Sequence, residues 1–276
     1  MISTKELSVK YKGKEILKNI NIEVLKGEFC VLFGPDDAGK TTLIKCITGF
    51  KKGFSGEVIV DGKYRYVPDE ILLMEDTTVG EFLNEMAYLN KDTYKRNLQE
   101  QLIQLFGVDL SKLISDISYE DNKCVQIIAA VSAYPDIIIL DEPMNFMNNG
   151  KWMIWLEFLK RLNNAGMTIF ITSEIYESVL HYATSYIAIK EGEIIRTGNA
   201  SETKLEKVIS IKGGNSEILL KHMKRVSAGK NGMQIYSYDG DMKELAAILK
   251  ESECEDYIIE NQTMEENIVG DYTSRI

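Results

Sequence analysis

GPDDAGKTT, residues 34–42, follows the apolar run Phe29–Phe33 and opens a segment with helical patterning. The spacing Gly34-x4-Gly39-Lys40-Thr41 is that of a phosphate-binding loop set between a strand and a helix. A helix start at this point offers unpaired backbone N–H groups and the positive end of a dipole to phosphate. Lys40 would reach the outer phosphates of a nucleotide, and the Thr41 hydroxyl would ligate Mg2+. A second stretch, DIIILDEP at 136–143, reads as an apolar strand ending in acids. Asp141 is placed to hold the Mg2+ through water, and Glu142 to orient an attacking water. The competing reading is a chance glycine turn and a buried strand with polar ends. Two motifs in the right order and context leave it little room. The anomaly is Asp36 and Asp37, two carboxylates where phosphates would lie.

The rest of the composition narrows the classes. The chain has 276 residues, 45% hydrophobic and 27% charged, an ordinary globular balance with room for one large domain and a small appendage. Its net charge of −10 argues against nucleic acid as a partner. The polar start MISTKELSVK has no signal-peptide pattern, and no apolar run reaches the ~18–20 residues of a membrane helix. The four cysteines, Cys30, Cys46, Cys124 and Cys254, lack paired spacing and read as reduced cytosolic thiols. With only His181 and His222 present, mechanisms needing several histidines are excluded.

Periodicity predicts strands at 6–11, 20–25, 29–33, 57–60 and 64–67, and a helix over 39–49. Residues 78–114 carry a helical stripe that includes Phe82, Met86, Leu98 and Leu102. Helices over 120–133, 150–164 and 174–182 alternate with strands at 136–140, 167–172 and 186–190, a wound α/β pattern. Beyond about residue 202 a second unit is expected: strands at 208–212, 234–238 and 256–260, helices at 216–226 and 241–251, and a last helix opened by a Thr263/Glu266 capping box.

The order of motifs resembles the ATP-binding subunit of an ABC transporter. The stretch ISYEDNKCVQIIAAVSAYPDIIILDEP, 117–143, is similar in length to the family's signature segment, helix and following strand, with Pro135 in its usual place. The resemblance implies a P-loop ABC-type nucleotide-binding domain over 1–201 with a helical subdomain at about 77–134, plus a small α+β domain over 202–276. It implies Tyr11 stacking on adenine and a nucleotide site formed by Gly34, Asp36, Asp37, Ala38, Gly39, Lys40, Thr41 and Thr42. Asp69 falls at the position of the family's metal-linked glutamine, joining Thr41 and Asp141 as a metal residue. The closing TMEENIVGDYTS is similar to the tail of drug- and antibiotic-export subunits.

The departures from the family pattern fall together. Ser118 matches the signature serine, but Tyr119 and Glu120 replace the two glycines that cap the γ-phosphate held by a partner subunit. Glycine lets backbone approach a phosphate and tyrosine does not. Ser118 with Asp121 also reads as a plain helix N-cap, which would make the first-turn acids the helix's own anions. Glu174 replaces the switch histidine, and Asn148 replaces the aspartate beyond DEP. His181 reads as a surface or packing histidine. Residues serving the inner phosphates and metal are kept; those serving the γ-phosphate are altered. Each loop aspartate, ~8 Å from a phosphate charge at an effective dielectric of ~20, costs about 2 kcal/mol, so weakened rather than absent ATP or ADP binding is expected. The expectation is a degenerate subunit of an ABC exporter with slow or no hydrolysis. It would act on the cytoplasmic face of the membrane with an integral membrane permease and a second ATP-binding subunit. The alternatives are an active ATPase motor and a non-hydrolysing regulatory or scaffold subunit.

Overall fold

In the computed structural model, residues 1–71, 74, 76–174, 179–202, 206–263 and 266 are described. Alternation builds the first hairpin. Ile2, Thr4, Leu7 and Val9 of β1 (Ile2–Tyr11) are buried, and the alternation slips where Glu6 takes a positive φ of 51°. That extra residue is a bulge, matching the register shift between Thr4 and Leu7 against β2 (Lys14–Val24). With β4 (Ser55–Val60) these strands form an antiparallel sheet in the order β2-β1-β4.

The apolar runs build the second sheet. β3 (Phe29–Phe33), β6 (Ile137–Leu140) and β7 (Thr168–Ser173) are buried at every position, as strands covered on both faces must be. With β5 (Tyr64–Val67), β8 (Ser185–Lys190) and β9 (Glu193–Asn199) they form a six-stranded sheet in the order β5-β6-β7-β3-β8-β9. Only β9 runs antiparallel to its neighbour. Helix α1 (Lys40–Ile47) leaves the C-terminal end of β3 and buries Leu43, Ile44 and Ile47 in the core between the sheets.

The helical stretch 78–114 is two helices, α2 (Val79–Leu89) and α3 (Arg96–Phe106). Asn90 ends the first: its carbonyl accepts from the N–H groups of Thr93 and Tyr94, and its side chain donates to Met86 O. This local bonding competes with helix continuation. Thr78 and Glu81 form a capping box on α2. Helix α4 (Tyr119–Ser132) is buried from Asn122 onward. Helix α5 (Asn149–Asn164) sinks Trp152 and Trp155 completely, and Trp155 stacks on Phe106 at 4.3 Å between ring centres.

The chain divides into two compact units, Met1–Ser201 and Glu202–Ile276. The second holds an antiparallel sheet in the order β11-β12-β10-β13, from β10 (Lys207–Gly213), β11 (Lys224–Ala228), β12 (Gln234–Tyr238) and β13 (Cys254–Asn261). Helices Ser216–His222 and Met242–Glu251 share a core with Ile209, Ile211 and Tyr236 on one face of it.

Two elements differ from expectation. Strand β9 was absent from the sequence reading; its mostly exposed EIIRTGN lacks an apolar run, and it is held by pairing with β8. The helix expected over 216–226 stops at His222, and Lys224–Ala228 becomes a strand because β12 offers it a free edge. The Thr263/Glu266 capping box forms, with Thr263 N–H donating to Glu266 Oε2 at 2.8 Å and Glu266 N–H to Thr263 Oγ1 at 3.1 Å. The helix it was expected to open, and residues 175–178 of the helix expected after Glu174, lie outside the described residues.

Candidate nucleotide site

The loop at 34–42 takes the shape its glycines permit. A side chain on Gly34 would run into the carbonyl of Ile189 on β8, so only glycine lets the loop leave β3 at that angle. Gly39 has φ 106°, which L side chains rarely adopt, and it is the residue before α1. Asp37 also takes a positive φ, 59°, tolerable for aspartate. Ala38 is buried, whereas Asp36 and Asp37 are exposed at the rim. A cavity of about 620 Å3 lies over the loop. It is lined by residues 36–42, by Asp69, Glu142 and Glu174, and by Tyr11 and Lys14 of the first hairpin. Gly34 and Asp141 lie outside that lining, and Ser118, Tyr119 and Glu120 are elsewhere on the surface.

Lys40 is 5% exposed, and its ammonium is fully engaged. It donates to Gly34 O at 2.6 Å and Pro35 O at 2.9 Å. It also pairs with Glu142 Oε1 at 3.1 Å and Glu174 Oε1 at 3.5 Å. Glu142 has a left-handed backbone, φ 42°, at the end of β6, and donates its N–H to Thr172 Oγ1 at 2.7 Å. Burial pushes its carboxyl up to about 7, with Lys40 pulling the other way. Glu174 is also raised, first by the Asp36 carboxyl beside it, then by burial, and opposed by Lys40.

Asp141 is completely buried. It accepts hydrogen bonds from Thr172 Oγ1 at 2.7 Å, Thr41 Oγ1 at 3.3 Å and the Tyr66 hydroxyl at 3.3 Å. Burial raises its carboxyl, and the threonine hydroxyls offset part of that. Asp69 accepts from Asn145 Nδ2 at 3.2 Å. Thr41, Asp141 and Asp69 supply oxygen donors only, the chemistry that suits Mg2+. Among the described residues no group of three or more His, Cys, Asp or Glu side chains forms a metal cage. Phosphate and water would complete the shell, as is usual for this ion.

Sequence reasoning did not find Thr172, Tyr66, Asn145 or Lys123. The polar end of the apolar run at 168–173 was a signal for Thr172. Nothing in the periodicity marked Lys123, which points inward from α4 and is fully buried. Its ammonium donates to three successive carbonyls, Pro68 O at 2.5 Å, Asp69 O at 2.9 Å and Glu70 O at 3.5 Å. Burial lowers it to about 8, with Asp69, Asp141 and Glu70 opposing.

At the start of α4, Ser118 is the N-cap: its hydroxyl oxygen accepts from Asp121 N–H at 3.1 Å, and the hydroxyl donates to Asp121 Oδ2 at 2.8 Å. Tyr119 is 65% exposed. Glu120 Oε1 accepts from the backbone N–H of Asn148 at 2.8 Å and from its side-chain amide at 2.6 Å. Lys151 pairs with Glu120 at 3.2 Å and with Asp121 at 3.0 Å. The first turns of α4 and α5 are thereby tied by internal charge pairs. His181 is exposed and lies edge-on to the Tyr182 ring.

Residues 17–145 match the family model described as ABC transporter. An ABC transporter ATP-binding protein of Methanocaldococcus jannaschii is 28% identical over 206 residues, 73% of this chain and 78% of that protein. Another, from Bacillus subtilis, is 29% identical over 236 residues, 79% of this chain and 73% of that protein. A spermidine/putrescine import ATP-binding protein of Mesoplasma florum is 28% identical over 219 residues, 73% of this chain and 62% of that protein. Among solved structures, an ATP-binding subunit of an ABC transporter superposes with a TM-score of 0.66 at 25% identity, over 72% of this chain and 89% of that one. A dimeric cassette bound to ADP and phosphate gives 0.64 at 21% identity, over 72% of this chain and 99% of that one, a likeness of fold. The loop at 34–42 therefore lies inside the stretch that matches the ABC transporter family model, and the first unit has the fold of an ATP-binding cassette.

Proposed function

We propose that this chain is a weakly hydrolysing or non-hydrolysing nucleotide-binding subunit of an ABC exporter. In this reading residues 1–201 bind ATP or ADP with Mg2+, and residues 202–276 are a separate small domain. The chain works at the cytoplasmic face of the membrane, docked on an integral membrane permease and paired with a second cassette. Tyr11 stacks on adenine, the loop 34–42 and Lys40 hold phosphate, and Thr41, Asp141 and Asp69 serve the metal. Glu142 is in place as a base, but a base without clamps on the terminal phosphate is a weak catalyst.

The observation that carries the reading is the closure of Glu120 onto Asn148 and Lys151. A carboxylate that caps its own neighbour presents no glycine backbone to a phosphate held by a partner. Export rests on the similarity of the tail alone; relatives of this chain include proteins described as import ATP-binding proteins. The test is to purify the chain with whatever accompanies it and measure turnover. One integral membrane protein and a second cassette with a glycine-rich signature are expected. Turnover by this chain alone should stay under ~1 s⁻¹, the low end for ordinary enzymes, and a faster rate would refute weak hydrolysis.

A further inference from the structure

An ammonium has three N–H groups to give, and that of Lys40 stands among four oxygens. No donor is left over, so any phosphate oxygen that Lys40 takes, inner or outer, replaces one of the four. Gly34 O and Pro35 O belong to the backbone of the loop itself. Glu142 is enclosed, with its side chain 8% exposed. Glu174 makes the longest of the four contacts, 3.5 Å, and its side chain is 39% exposed. It is the partner free to yield. Asp36 stands beside Glu174, and two ionised carboxylates in contact repel, so Lys40 is the better neighbour for it.

Resting on the nucleotide-binding reading above, we infer that Glu174 is an internal competitor for nucleotide: its carboxylate and the phosphates contend for Lys40, so Glu174 sets the affinity for di- and triphosphates alike. An ion pair this exposed is weak, so phosphate displaces it and gives up part of its own affinity in doing so. The displaced carboxylate then stands as a like charge near the phosphates, which adds to the loss. Glu174 acts through Lys40 and touches no reacting atom. Its side chain lies at the cavity wall, so replacing it does not empty the core.

The test is calorimetric titration of the full chain with ADP and with adenylyl imidodiphosphate, a triphosphate that is not hydrolysed, both with Mg2+. Glu174→Gln should tighten both ~10-fold, a gain of about 1.4 kcal/mol. Glu174→Asp separates contact from charge. It keeps the carboxylate on a side chain one methylene shorter, and from a contact already at 3.5 Å it no longer reaches Lys40. Both nucleotides should then tighten ~3-fold, the share that belongs to the lost pair. If Glu174→Asp binds like the unaltered chain while Glu174→Gln binds more tightly, Glu174 is only a nearby charge and the competition is overturned. Unchanged or weaker binding by Glu174→Gln, or a gain confined to one nucleotide, overturns it as well. Each of these results spares nucleotide binding itself. Binding of neither nucleotide by any of the three proteins would overturn both.

Discussion

Replacing Glu142 with glutamine should stabilise the ligand-free protein, and only at neutral to alkaline pH. The Glu142 side chain is 8% exposed, and burial raises its carboxyl to about 7 from an ordinary glutamate value of 4.5. A carboxyl whose folded value lies above its unfolded one binds more protons folded than unfolded between those values. Stability then falls as pH rises from about 4.5 to 7, and the full cost is present above 7. At ~1.4 kcal/mol per pH unit this cost is about 3 kcal/mol at pH 8 and under ~1 kcal/mol at pH 5. Glutamine keeps the shape and carries no charge, and Lys40 retains Gly34 O, Pro35 O and Glu174. The value of about 7 already includes the pull of Lys40, so a gain of about 3 kcal/mol is expected at pH 8. For a unit of this size that is about 6–12 °C in Tm. Thermal melts of both proteins without nucleotide at pH 5 and pH 8 make the comparison. A gain that is absent at pH 8, or equally large at pH 5, would refute the account of Glu142 as a charge held in the interior at a cost.

Other perturbations follow from the same geometry. Lys123→Met fills the space but leaves the carbonyls of Pro68, Asp69 and Glu70 without their shared donor; a loss of ~2–3 kcal/mol in urea unfolding is expected. Ser118→Ala removes the N-cap of α4 and should cost ~1 kcal/mol in the same assay. Trp155→Ala empties a fully buried ring site stacked on Phe106 and should cost ~3–5 kcal/mol, enough to lower Tm by 10 °C or so.

The apolar runs were the legible part of this fold. Phe29–Phe33, Ile137–Leu140 and Thr168–Ser173 announce buried parallel strands, since no half-exposed strand affords so many consecutive apolar residues. The loop glycines were legible for the same reason, being needed where a side chain would collide or φ turns positive. Strands β9 and β11 were not, because each lies at a sheet edge and is defined by its partner more than by its own residues. In the site, spacing located Lys40, Thr41, Asp141 and Glu142. It could not locate Thr172, whose single hydroxyl serves Asp141 and Glu142 together across a strand boundary. Nor could it show that Glu120 turns toward Asn148 and Lys151, since those partners lie 28 and 31 positions away in the chain.

The buried ammonium of Lys123 acts as a tie-rod. Its three carbonyl partners belong to one stretch of backbone, so the end of β5 and the middle of α4 are joined by a charge that has no solvent to retreat into. A rod of this kind does not stretch by degrees. Moving the 68–70 segment by even one ångström either carries α4 with it or strands the ammonium among unpaired oxygens. Motion at this corner is therefore stepwise: the helix and the loop bearing Asp69 shift as one body, or they part at a cost of several hydrogen bonds at once.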